Sequence, residues 1–171
     1  MWLKKYLLII IVLLPALAWA QPSDKVFTSV DEALENPLAV SRFYLDCSSG
    51  DDSVFFENIN RFPNLTSLTI VGFPDSDLPD NLYTAKSLTN IAVAECLDLD
   101  FKDFLAKLKQ LKKLQQLTID ESELLLIPFE ITALSQLQKL VITNCDNLQT
   151  ERCIDVLTGC KNLKYLGLPV N

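Results

Sequence analysis

An aliphatic triplet in the order apolar-x-x-apolar-x-apolar recurs along this chain, and no other feature limits its possible folds so strongly. It begins at Leu65 (LTSLTI), Leu88 (LTNIAV), Leu114 (LQQLTI), Leu137 (LQKLVI) and Leu163 (LKYLGL), with a degenerate copy at Val40 (VSRFYL). The six starts are separated by 25, 23, 26, 23 and 26 residues. A period of that length signals stacked supersecondary units, because no single unit can bury its own apolar face. Positions 3 to 7 of each copy are expected to alternate outward and inward, as a strand must, and the remainder has to bring the chain back to start the next strand in parallel. A shift of 49 residues superposes a long and a short copy on their successors: Leu65 falls on Leu114, Leu78-Pro79 on Ile127-Pro128, and Cys96 on Cys145.

The stretch LQKLVITNC (137–145) is closed by Cys145, and Cys96 holds the same ninth position one pair of copies earlier. The pattern L-x-x-L-x-L-x-x-N/C resembles that of leucine-rich repeat proteins. Leu78-Pro79-Asp80-Asn81-Leu82 and Ile127-Pro128-Phe129-Glu130-Ile131 look like the LPxxI segment of short bacterial repeats, and SVDEALENPLAVSRFYLD (29–46) is similar to the opening segment of exported bacterial members. The resemblance implies an α/β fold: a right-handed leucine-rich repeat solenoid, its curved parallel sheet concave and its short helices and 3-10 turns convex. About six repeats would fill residues 40–171, after an N-terminal capping segment at 21–39 with a short helix.

Local signals agree with that layout. Ser29-Val30-Asp31-Glu32 reads as a capping box, and the turn or two it starts must end before Pro37. In the 26-residue copies the return is expected to be helical, with Asp100 capping the helix after it and Thr150 capping TERCIDVLTGC. In the 23-residue copies the return is shorter, and Pro79 and Pro128 favour a tight turn or 3-10 piece. The sequence stops at Asn171 just after the sixth copy, so a bare parallel edge is expected, with Gly167 and Pro169 discouraging further pairing.

Residues 1–20, MWLKKYLLIIIVLLPALAWA, run from lysines through a short apolar stretch to Ala18-Trp19-Ala20, the order of a secretory signal peptide. Cleavage after Ala20 and a periplasmic or extracellular destination are expected; the competing reading is an uncleaved anchor. No later segment is long and apolar enough to span a membrane. Without Lys4 and Lys5 the 15 basic residues become 13 against 22 acidic ones, a net charge of −9. Such a chain is expected to repel phosphate-rich partners, and no basic run with interleaved aromatics argues for nucleic acid.

The side chains needed for most catalysis are missing. There is no histidine, which removes the Ser/His/Asp and Cys/His nucleophile arrangements and the commonest zinc ligand. The four glycines fit no phosphate-binding loop, and the five cysteines form no CxxC pair. Cys96 and Cys145 lie two repeats apart, about 10 Å at ordinary strand spacing, too far for a disulfide. Cys153 and Cys160 fall on apolar Phe104 and Leu111 under the same shift and read as small core residues; a bridge between them would require their helix to end early. Asp75, Asp77 and Asp80, with Asp98, Asp100 and Asp103 one loop on, offer oxygen ligands for calcium or an acid pair, against a plainer reading as turns and caps. Neither the EF-hand order nor its glycine is present, and no cofactor is expected. Leucine-rich repeat ubiquitin ligases carry a separate catalytic domain for which these residues leave no room. Asn64-Leu65-Thr66 is a formal glycosylation sequon around a residue expected to be buried.

What remains is a surface. Outward positions 3, 5 and 7 supply Arg42, Tyr44 and Asp46 at one end, small residues in the middle, and Lys139 and Tyr165 toward the other. The resemblance implies a non-enzymatic module binding a protein or peptide across this face, monomeric, with Arg42, Tyr44, Asp46, Asp120 and Lys139 as candidate contacts. Each is equally readable as an ordinary solvated strand residue. The alternative function is an envelope-associated scaffold, retained by its N-terminal segment and self-associating through the bare C-terminal edge.

Overall fold

The computed structural model describes residues 25–49 and 52–169. Residues 1–20, expected from the sequence to be a signal peptide cleaved after Ala20, lie outside the described residues. Seven strands form one sheet in sequence order: β1 (Val26–Phe27), β2 (Arg42–Asp46), β3 (Ser67–Val71), β4 (Asn90–Ala94), β5 (Gln116–Asp120), β6 (Lys139–Thr143) and β7 (Tyr165–Gly167). Every neighbouring pair is parallel, and the register matches repeat position to repeat position, as in Phe43↔Leu68↔Ile91↔Leu117↔Leu140↔Leu166. β2 to β6 are the predicted strands of the first five copies and β7 that of the sixth. β1 is an addition the sequence did not announce, a two-residue edge laid against β2 by the capping segment.

The alternation is explicit in the burial. β2 to β6 turn positions 3, 5 and 7 outward, exposed or half-buried, and bury 4 and 6, whose side chains join Leu65, Leu88, Leu114 and Leu137 in one continuous core. Hydrogen bonding repeats with the same period. The amides at positions 2 and 3 of each copy both donate to the position-2 carbonyl of the copy before, as Gln115 and Gln116 do to Thr89 O at 2.8 and 3.0 Å. A turn closes each strand start, Leu88 N donating to Ala85 O at 3.1 Å and Leu114 N to Leu111 O at 3.0 Å. Just past the strand, the residue at position 8 turns left-handed: Gly72 at φ 66°, Glu95 at 55°, Glu121 at 44° and Asn144 at 51°. That twist lets its amide reach the next strand, Gly72 N to Ala94 O at 2.9 Å and Glu121 N to Thr143 O at 3.2 Å.

Return segments follow the expected alternation of length. Helices Phe101–Leu108 and Thr150–Leu157 serve the 26-residue copies, and 3-10 segments Asp80–Thr84 and Phe129–Ala133 follow Pro79 and Pro128 in the 23-residue ones. Helices on one side are wider than strands on the other, so stacking them bends the sheet concave. The degenerate first copy also returns through a helix, Asp52–Asn58, which the sequence reading did not assign. Its Phe55 packs at 4.4 Å between ring centroids on Phe43, and Phe62 stacks at 6.0 Å on Phe55; aromatic rings fill the volume that leucines fill elsewhere.

Caps are as expected at two ends and different at a third. The Ser29 hydroxyl accepts from Glu32 N to start helix Val30–Glu35, while the Glu32 carboxylate pairs with Lys25. Asp100 accepts from Lys102 N at 2.9 Å and Asp103 N at 3.1 Å. Thr150, read as a cap, is instead the first helical residue; Gln149 holds the cap position without a side-chain bond, and the Thr150 hydroxyl is buried with no partner among the described residues. The 49-residue shift carries Asp100 onto Gln149, so the cap follows repeat register rather than side-chain chemistry.

Candidate functional site

The concave face is a ruled surface whose rows run across the strands. Arg42, Ser67, Asn90, Gln116, Lys139 and Tyr165 share the row nearest the strand starts. Asp46, Val71, Ala94, Asp120 and Thr143 form the row at the strand ends. Between them lie Tyr44, Thr69, Ala92, Thr118, Val141 and Gly167. The middle of the sheet therefore offers a shallow, mildly apolar floor bounded by larger side chains.

The five candidate residues do not converge. Arg42, Tyr44 and Asp46 share β2, while Lys139 is four strands away, about 19 Å at ordinary spacing, and Asp120 is three strands from Asp46, about 14 Å. At the β2 end, Tyr44 is 38 % exposed and the Arg42 side chain is exposed with no hydrogen bond or ion pair among the described residues. Asp46 accepts from the Ser48 hydroxyl at 2.5 Å and the Ser48 amide at 3.0 Å, and those two bonds hold its carboxyl below the usual range. Tyr44 and Asp46 also border a cleft of about 540 Å³, closed on its other side by Ser29, Val30, Asp31 and Val54.

At the far end the roles are more structural. Asp120 Oδ1 accepts from Thr143 Oγ1 at 2.7 Å and Asn144 Nδ2 at 2.8 Å, which clasps β5 to β6 and fixes the left-handed Asn144. Lys139 lies 5.2 Å from the centroid of the Tyr165 ring, so a residue outside the candidate set helps orient one inside it. That contact links neighbouring strands at position 3 and was legible only as the shared row.

The acidic loops converge on a lysine. Lys107 Nζ lies 2.7 Å from Asp103, 3.5 Å from Asp80 and 3.7 Å from Asp77, and sits 5.9 Å over the Tyr83 ring. The Asp103 hydrogen bond raises the Lys107 pKa, and Lys107 in turn lowers that of Asp103. An ammonium thus occupies the centre that a cation ligand set would need, and Asp100 is committed to its helix cap. Among the described residues no group of three or more His, Cys, Asp or Glu is arranged to hold a metal ion.

All five cysteines are free thiols. Burial pushes Cys47 up to about 12 and raises Cys96, Cys145 and Cys160 as well, so these four stay protonated at neutral pH. Cys153 is buried against the short copy before it, its sulfur accepting from Ile127 N at 3.4 Å. The helix does end before Cys160, yet no bridge to Cys153 forms. Among the described residues no helix is long and apolar enough to cross a membrane.

No protein-family model matches the sequence, and no curated protein matches it. Solved structures do. A leucine-rich repeat protein of Leptospira interrogans aligns over 86 % of this chain and 36 % of its own, with 24 % identity and a TM-score of 0.57. An internalin of Listeria monocytogenes aligns over 82 % of this chain and 57 % of its own, with 13 % identity and a TM-score of 0.41. The chain thus spans about a third of the first protein's length and little over half of the second's. Parallel strands in sequence order, position-for-position register, alternating helical and 3-10 returns and the likeness to the Leptospira protein make this fold a leucine-rich repeat solenoid.

Proposed function

We propose that the protein is a non-catalytic exported module that binds a protein or peptide across its concave face. The observation that carries this reading is the β2 end of that face, where unpaired Arg42 stands beside exposed Tyr44 at the rim of a shallow apolar floor. Arg and Tyr are the side chains most often found at the energetic centre of protein interfaces, since each combines large contact area with directional polar groups. Lys139, oriented by Tyr165, and Asp120 extend the surface toward the other end. Protonated thiols and the lysine-filled acidic cluster support a binding role over a chemical one. Export rests on the leader-like order of residues 1–20.

The triple variant Arg42→Ala/Tyr44→Ala/Lys139→Ala tests the reading. Used as bait in periplasmic or extracellular material, the chain from Gln21 onward is expected to capture a partner that the variant loses, at an unchanged melting temperature. Equal capture by both would move the interface off the concave sheet. Intact mass of the exported protein checks removal of residues 1–20.

The scaffold reading draws on one observation. Leu166 of β7 is 43 % exposed, whereas Leu140 and Leu117 in the same register are fully buried. Light scattering showing only monomer at high concentration would remove it.

A further inference from the structure

Charge is sorted by the solenoid in a way that its sum conceals. The turns that precede the strands, residues 59–66, 84–89, 108–115, 133–138 and 158–164, contain no acidic residue. They carry exposed Arg61, Lys86, Lys112, Lys113, Lys161 and Lys164, none of them in an ion pair among the described residues. The loops that follow the strands are the reverse: 71–80 and 120–130 hold acids and no base. A five-residue strand separates the two edges by about 17 Å. That is roughly twice the Debye length at physiological salt, about 8 Å, so the acids of the opposite edge scarcely weaken the field here. Nearer acids stand on the return segments, Glu57, Glu130 and Asp155, and none of them forms an ion pair with these cations among the described residues.

The repeating turn also sets the cations in line. Lys86, Lys112, Ser135 and Lys161 each stand two residues before the leucine whose amide closes the turn, so they form one row along the solenoid axis. At about 4.8 Å per strand, Lys86 and Lys112 are neighbours and Lys161 lies about 10 Å beyond. Lys86 Nζ is held along the edge by Tyr83 O at 2.7 Å and Gln110 O at 3.5 Å. Where Ser135 interrupts the row there is a recess of about 70 Å³, lined in part by Lys109, Lys112, Ser135 and Gln136. Uncommitted hydroxyl and amide groups thus alternate with ammonium groups.

We infer that this edge binds an anionic polysaccharide, its sulfate or carboxylate groups on the lysine row and its hydroxyls on Ser135, Gln136 and Gln110. The row matches a linear, regularly charged chain. No aromatic side chain stands among these turns' exposed residues to stack a base, which disfavours single-stranded nucleic acid. Exposed Leu97, Leu125 and Leu126 lie on the acidic edge, whereas the basic one offers a single exposed large apolar side chain, Leu38, in the turn before β2 and two repeats from Lys86, too little to anchor a membrane surface. The same leucines would go unmet if a second copy laid its acidic edge here.

The test is retention of the protein on immobilised heparin in 50 mM salt. Lys86→Gln/Lys112→Gln/Lys161→Gln is expected to bind about tenfold more weakly or worse, with a shallower salt dependence, because fewer counterions are released. Lys25→Gln/Lys102→Gln/Arg152→Gln removes as much charge away from the row and is expected to bind like the parent. Thermal melts confirm that both variants fold. Absence of retention, or equal weakening by both variants, would overturn the inference, as would equal binding to duplex DNA or to anionic phospholipid vesicles.

Discussion

Position 8 of the repeat shows how one residue's backbone sustains a whole ladder. Its left-handed φ aims an amide at the next strand, and four copies reach it with three residue types: Gly72, Glu95, Glu121 and Asn144. A Cβ on Gly72 would meet only Ser48 atoms at 3.7 Å, so Gly72→Ala is not a steric problem; its cost is the left-handed backbone itself, about 1 kcal/mol in a urea titration. Glu121→Gly relieves that strain but adds freedom to the unfolded chain, and a net gain of about 0.5 kcal/mol is expected. A second effect at this scale is pH-dependent. The folded Cys47 thiol titrates near 12 against an ordinary value of 9.0, so its contribution to stability is complete below pH 9 and is lost as pH rises toward 12. Across that window the folded state holds one proton more than the unfolded state, and Cys47→Ala is expected to flatten the decline by about 1.4 kcal/mol per pH unit, read from urea midpoints between pH 9 and 11. The candidate contacts were legible residue by residue, since outward strand positions follow from alternation. That Asp120 serves as a clasp and Lys139 leans on Tyr165 was not, because both depend on the neighbouring strand.

Elements were fixed by repeat length more than by intrinsic propensity. Pro79 and Pro128 direct the short copies into 3-10 turns, and the three extra residues of the long copies close a helix. Where the sequence reading relied on residue chemistry alone it placed a cap at Thr150, one residue from the position that register assigns. The contrast between the two long copies is measurable. Asp100→Ala is expected to destabilise the protein by about 1 kcal/mol, and Gln149→Asp, which supplies the missing acceptor at the equivalent site, to stabilise it by about 0.5–1 kcal/mol. Helix Asp52–Asn58 escaped notice because its copy replaces leucine with phenylalanine, and the aliphatic spacing that marks the other units is weakest there.

At the scale of the molecule, stability is shared between neighbours, because each unit's core side chains touch only the unit before and the unit after. Leu140, fully buried between β5 and β7, is expected to cost about 3 kcal/mol as Leu140→Ala, whereas Leu166→Ala, already 43 % exposed with no strand beyond it among the described residues, should cost under about 1 kcal/mol. Equal losses in urea unfolding would mean that β7 is covered in solution. The period of the aliphatic triplets was enough by itself to determine the parallel solenoid, its six repeated strands and which side chains face in, since burial of a period-2 strand and a periodic return leaves little else. Only the tertiary structure decided the electrostatics. A net charge summed along the chain treats Lys86, Lys112 and Lys161 as isolated cations diluted by acids, while stacking brings residues some 25 positions apart to within about 5 Å and sets the acids of the loops after the strands about two Debye lengths away.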